Sequence, residues 1–120
     1  MKEVQKLETI DDYNAFLNNQ ESDFDILLLK ISSRCTVSFV VQKIFELWFR
    51  EIDQESKLRC GIVDVITARE ISNQIAEDFS LKHESPQALW LTPEKKVKWS
   101  ASHHRITAEA LQNCLTSHKM

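Results

Sequence analysis

The chain has 120 residues, 42% apolar and 28% charged, with a formal net charge of −3. That is one domain's worth of sequence, and its mildly acidic balance gives no electrostatic footprint for nucleic acid. No apolar run approaches the roughly 20 residues needed to cross a bilayer, and a single glycine, Gly61, rules out the phosphate loops that need several at fixed offsets.

The first residues, Met1 to Lys6, carry neither the apolar stretch nor the small-residue cleavage site of a secretory signal. Three cysteines without a Cys-x-x-Cys fit a reducing compartment better than a disulfide scaffold, so a cytoplasmic location is expected. No repeat, low-complexity tract or linker interrupts the chain, and a monomer is expected.

Residues 4–7 read as a short first strand. Thr9 is an N-cap type with Asp11 and Asp12 in the first turn, and Ile10, Tyr13, Phe16 and Leu17 recur at helical spacing to about Asn18. A polar break follows at 18–23. Residues 26–31 place apolar side chains consecutively rather than alternately, the pattern of a strand buried on both faces. The next helix shows Val37, Val40, Val41, Ile44, Phe45, Trp48 and Ile52 as one wide apolar face. Gln42, Lys43, Glu46 and Arg50 line the opposite stripe, with Phe39 among them as either a partner contact or a partly covered side chain.

Residues 58–66 form a strand, and Thr67-Ala68-Arg69-Glu70 reads as a capping box opening a helix on Ile71, Ile75, Ala76 and Phe79. Residues 88–91 and 96–99 are short strands joined through Thr92-Pro93-Glu94-Lys95. The last helix takes Thr107 as N-cap, Ile106 and Leu111 as a hydrophobic staple, and runs through Leu115. In order this is β-α-β-α-β-α-β-β-α, an α/β protein with a central mixed sheet and helices on both faces.

Cys35 lies between the strand 26–31 and the helix that follows. A thiol there meets unpaired backbone N–H groups and the positive end of the helix dipole, both of which favour thiolate. Thiolate is the form that attacks disulfides. Ser38 stands where a dithiol oxidoreductase would carry its second cysteine, so the chemistry would run on one sulfur. The alternative for Cys35 is a buried small hydrophobe. Ser38 suits the first helical turn in any case, and its hydroxyl can also donate to a thiolate without resolving a disulfide.

Cys35-Thr36-Val37-Ser38, Lys82-His83-Glu84-Ser85-Pro86-Gln87 and Trp99-Ser100-Ala101-Ser102-His103, followed by Ile106-Thr107, resemble the monothiol bacilliredoxin family. The order of elements is that of a thioredoxin, and the resemblance covers nearly the whole chain. It implies a thioredoxin-like fold, a Cys35 nucleophile and a cis Ser85–Pro86 bond facing that sulfur. It further implies removal of the small thiol bacillithiol from mixed disulfides on proteins. Bacillithiol would be a co-substrate, with no metal or organic cofactor. Free bacillithiol or a reducing redoxin would regenerate Cys35 after transient contacts with many bacillithiolated proteins.

Around the nucleophile, Arg34, Thr36, His83, Ser85, Pro86 and His103 are the candidate substrate-binding residues. The family usually reads Thr-Cys-Pro-(Ile/Val)-Ser; here Arg34 replaces the threonine and Thr36 the proline, and His104 falls where an aromatic residue is more frequent. Thr36 forgoes the pre-organisation of proline at a first helical position and is itself a capping type, which would start the helix one residue later. Arg34 either stabilises the thiolate and pairs with carboxylates of bacillithiol's malate portion, or is a solvated surface arginine. His103 is either a surface residue or a polar contact to the loop bearing His83.

Cys60 and Cys114 read as structural. Either would be a resolving thiol only with its Cα roughly 4.4–6.8 Å from that of Cys35. His83, His103, His104 and His118 show no short metal-ligand spacing, so no metal site is expected. Asp64 is either a buried acid near the sulfur or a solvated strand end. Two other functions fit the same residues: a thioredoxin-like binding or chaperone module whose Cys35 is merely modified under stress, and a glutaredoxin-like protein using another small thiol.

Overall fold

The computed structural model describes residues 3–18 and 23–117. In chain order it has β1 (Gln5–Lys6), α1 (Ile10–Leu17), β2 (Asp25–Ile31), α2 (Thr36–Glu51) and β3 (Leu58–Asp64). These are followed by α3 (Arg69–Asp78), β4 (Gln87–Leu91), β5 (Val97–Ser102), a 3-10 turn (His103–Arg105) and α4 (Ala108–Ser117). Most of the polar break expected at 18–23 lies outside the described residues. The strands form one sheet in the order β1-β3-β2-β4-β5, with β1, β3 and β2 parallel and β4 and β5 antiparallel. This is the mixed sheet of the thioredoxin fold.

Every residue of β2 is buried, as its unbroken apolar run requires of a central strand covered on both faces. Side-chain alternation sends Leu27, Leu29 and Ile31 to one face, against Phe45 and Trp48 of α2 and Leu111 of α4. Ile26 and Leu28 go to the other, against Tyr13 and Phe16 of α1 and Ile71 and Ile75 of α3. Lys30 shares this second face, fully buried, and its Nζ donates to the Ser72 carbonyl of α3 at 3.2 Å.

Gly61 sits in β3 beside β1, where a Cβ would lie 3.0 Å from Leu7 Cδ1 and 3.1 Å from the Phe16 ring. Glycine is needed there for close approach. Thr9 caps α1 with a reciprocal box to Asp12, and Thr107 Oγ1 accepts from the Ala110 N–H at the start of α4.

Two local expectations are corrected. The buried side of α2 carries Ser38, Val41, Phe45, Trp48 and Phe49, whereas Val37 and Val40 are about half exposed, at 49% and 51%. The sheet covers one arc of the helix, and Val37, Val40 and Leu47 fall on a neighbouring arc that nothing among the described residues covers fully. The capping box at Thr67 does not form. Ala68 is the N-cap of α3, and the Thr67 hydroxyl hydrogen-bonds the Asp64 carboxylate instead. Among the described residues no helix is long and apolar enough to cross a membrane.

Candidate active site

Strand β2 ends at Ile31, and a tight turn delivers the chain to α2. The Cys35 N–H donates to the Ser32 carbonyl at 3.1 Å, and the Cys35 carbonyl accepts the Phe39 N–H at 3.2 Å as the first hydrogen bond of the helix. Cys35 is therefore the N-cap and Thr36 the first helical residue. The later start that a capping Thr36 would have produced is not seen, because the turn from Ser32 fixes Cys35 first and the Cys35 carbonyl already accepts a helical N–H.

With no cap hydrogen bond from its side chain to the helix, the Cys35 sulfur is left as an acceptor over orphan N–H groups. The Ser38 N–H, the Val37 N–H and the Ser38 hydroxyl all favour its thiolate form, and together these outweigh partial desolvation and hold the thiol below its ordinary value. Ser38 is fully buried, and its Oγ also accepts the Ser32 N–H at 3.0 Å. One hydroxyl thus fixes the turn before the cysteine and favours the thiolate beside it.

Behind this turn, Asp64 at the end of β3 accepts the Ile66 N–H at 3.0 Å and the Ser33 N–H at 3.3 Å. Burial raises its pKa, but these donors and Thr67 outweigh that and keep it below the usual carboxylate range. The turn is tied to β3 by an anion. Cys35 opens onto a cavity of about 350 Å³ whose walls include Phe39, Gln42 and Glu46 of α2, Ile62 and Asp64 of β3, and Lys6 of β1. Phe39 is 59% exposed, with the Lys43 ammonium 5.3 Å from its ring centre.

The Ser85–Pro86 bond is cis, immediately before β4. Pro86 is buried, and its carbonyl accepts the His103 N–H at 3.0 Å, which ties this loop to the end of β5. His103 Nδ1 lies 3.6 Å from Glu84 Oε1 in the same loop. The 3-10 turn carrying His103 packs against α2, so the proline loop, the end of β5 and the helix headed by Cys35 meet at one end of the sheet.

The other candidates are placed as follows. His83 turns away towards α3, its Nδ1 3.3 Å from Ser72 Oγ. Burial, then the nearby Lys30 and Arg69 charges, lower its pKa and favour the neutral ring. Arg34 and Thr36 are exposed beside Cys35, and neither lines the cavity at the sulfur. Cys60 and Cys114 are buried in the core between the sheet and α2–α4, and none of the three cysteines is in a disulfide. Burial pushes Cys114 up, opposed only in part by Lys98. His118 lies outside the described residues, and among those described no three His, Cys, Asp or Glu side chains are placed to share a metal. Sequence reading passed over Lys30, because a lysine inside an apolar run carries no signal of where its amine goes. Gln42, Glu46 and Lys6 were equally silent, since the cavity they line joins three separate elements.

A thiol at a helix N-terminus, at the end of a thioredoxin sheet, defines a thiol oxidoreductase of thioredoxin fold. Solved structures of that fold agree with it. One described as a candidate oxidoreductase with a thioredoxin fold superposes with a TM-score of 0.78 at 26% identity, over 92% of this chain and 91% of that one. The thioredoxin of Fasciola hepatica superposes at 0.73 and 18% identity over 96% and 99%, and that of Malassezia sympodialis at 0.73 and 16% over 100% and 94%. The family model for Monothiol bacilliredoxin BrxC matches residues 5–111, and the chain belongs to that family.

Proposed function

We propose that the protein removes bacillithiol from mixed disulfides on other proteins, using Cys35 alone. The observation that carries this reading is the Cys35 sulfur at the N-terminus of α2, its thiolate favoured by the Ser38 and Val37 N–H groups, with a hydroxyl at Ser38 where a resolving thiol would stand. Cys35 thiolate attacks the bacillithiol-side sulfur. A Cys35–bacillithiol disulfide forms, the original S–S bond breaks, and the protein sulfur leaves with the electron pair and takes a proton from water. Ser38 cannot displace the cap. A second thiolate from solution, free bacillithiol or a reducing redoxin, attacks the bacillithiol sulfur and restores Cys35.

Contacts with protein substrates must be brief, because each complex dissociates after exchange. A reducing compartment such as the cytoplasm suits a catalyst that needs its thiol reduced. Beside the sulfur, Arg34 offers a fixed cation for the carboxylates of bacillithiol. Arg34→Ala is expected to slow reaction with a bacillithiolated protein more than with a neutral disulfide, and equal slowing would leave only a local field effect. Thr36, Ser85, Pro86 and His103 form the surrounding contact surface, with the Ser85 backbone available to an incoming extended segment.

The test is turnover of bacillithiolated and glutathionylated proteins by wild type, Cys35→Ala and Cys35→Ser. Release of protein thiol by wild type alone supports the proposal. Capture of a small thiol on Cys35 without release would sink it and favour a stress-modified binding module. Release from the glutathionylated substrate alone would shift the assignment to another small thiol.

A further inference from the structure

A short chain of polar groups joins the loop carrying cis-Pro86 to the elements behind it. Lys30, near the end of β2, pairs across the sheet with Gln87 at the start of β4. Continuing that register sets Pro86 beside Ile31, where the chain leaves β2 for the turn to Cys35. On the α3 side of the sheet, the Lys30 Nζ donates to the Ser72 carbonyl at 3.2 Å and fixes where Ser72 stands. Ser72 is only 1% exposed, and its hydroxyl lies 3.3 Å from Nδ1 of His83, in the proline loop. Burial and the charges of Lys30 and Arg69, opposed by Glu84, favour the neutral ring, whose Nδ1 can accept the Ser72 O–H.

Much of the loop's position rests on that last link. Among the described residues, the His83 ring makes the one side-chain hydrogen bond from residues 82–86 to α3. The neighbouring inward atoms add nothing: Ser85 Oγ and Gln87 Oε1 are buried, and neither has a hydrogen-bond partner among the described residues. Buried polar atoms left in this way disfavour the posture that buries them, so the loop needs ties from outside. On the β5 side these are the His103 N–H on the Pro86 carbonyl, at 3.0 Å, and the His103 ring 3.6 Å from Glu84. On the α3 side the tie is His83.

We propose that Ser72 and His83 are positioning residues for exchange at Cys35: their hydrogen bond holds the cis-Pro86 loop where its backbone meets an incoming protein disulfide. The inference rests on the thiol-exchange reading above and adds what sets the loop's place. Neither residue lines the cavity at the sulfur. His83 thus serves substrate binding through the loop rather than by contact, and the thiolate of Cys35 is untouched by it.

The experiment measures kcat and KM for release of protein thiol from a bacillithiolated protein, alongside the rate of Cys35 alkylation by iodoacetamide. Ser72→Ala, which keeps the carbonyl that Lys30 uses, His83→Ala and the double variant are set beside wild type. Each single variant is expected to raise KM about fivefold, the effect of one lost hydrogen bond, with kcat and alkylation within about twofold of wild type. The double variant should be no worse than either single one, because both cut the same bond. His83→Gln, whose amide oxygen can accept the Ser72 O–H, should recover most of the lost KM. An unchanged KM in the single variants, additive losses in the double one, or alkylation slowed in step with turnover would overturn the assignment.

A second measurement separates this failure from failure of the redox reading. Ser72→Ala and His83→Ala are each placed in Cys35→Ala protein, which cannot exchange, and backbone amide relaxation is followed by NMR. Lower order at residues 82–85, with β2 unchanged, supports the tie even if no mixed disulfide is turned over. Unchanged order at those residues overturns it even if turnover is present.

Discussion

At the scale of single residues, the reactivity of Cys35 is mostly a property of main-chain geometry. The Ser38 N–H contributes first to holding the thiol below its ordinary value, followed on the stabilising side by the Val37 N–H and then the Ser38 hydroxyl. Ser38→Ala keeps both N–H donors and loses the hydroxyl, including the anchor for the Ser32 N–H. The midpoint of iodoacetamide alkylation against pH is therefore expected to rise in this variant yet stay below that of a cysteine in an unstructured peptide. A midpoint equal to the peptide's would mean that the side chain, not the helix terminus, does the work. This part of the site was legible in the sequence, because a strand followed by Cys-x-x-Ser and a helix fixes where the sulfur sits relative to orphan donors. The cavity at the sulfur was not, since Lys6 and Ile62 become neighbours only through the pairing of β1 with β3.

At the scale of elements, strong signals and ambiguous ones parted company. The continuous apolar run of β2 allowed only a strand covered on both faces, and the Thr9 signature gave a real capping box. Helix α2 carries more apolar surface than one face can bury, so periodicity admitted two arcs and tertiary packing chose between them. Phe45 lies at the centre of the chosen arc, fully buried against the sheet, while Val40 is 51% exposed. Phe45→Ala is accordingly expected to cost roughly 3–5 kcal/mol, and Val40→Ser to fall within about 0.5 kcal/mol of wild type. Urea titrations of the two variants check this, and comparable losses would contradict the observed rotation of the helix. Thr67 misled for a different reason: a nearby carboxylate, Asp64, competed for its hydroxyl and won.

At the scale of the whole molecule, one buried cation sets how stability responds to pH. Burial lowers the Lys30 pKa from 10.5 to about 8, with the His83 ring and the Arg69 charge on the same side of the sheet. Between those values the unfolded chain binds more protons than the folded one, so stability rises with pH, and below them the slope vanishes. The gap corresponds to about 3 kcal/mol over the full window. Tyr13 works in the opposite sense. Burial, then its 2.8 Å hydrogen bond to Asp78, raises its pKa, so the unfolded phenol ionises first and stability falls above about 10. The urea midpoint is thus expected to climb from pH 8 towards 10 and then turn over, and Lys30→Met should reduce the climb to the smaller part that the thiols contribute. A flat wild-type profile across that window would show that the amine reaches water.

The burial of Cys60 and Cys114 sets the covalent valency of the molecule. Of the three thiols only that of Cys35 is open to oxidants, so a disulfide between copies consumes the sole coupling point of each. Growth of a covalent polymer needs units with at least two ends, and here every link is also a terminator. Under harsh oxidation a non-reducing gel should therefore show a band at twice the 14.0 kDa chain mass and no ladder above it.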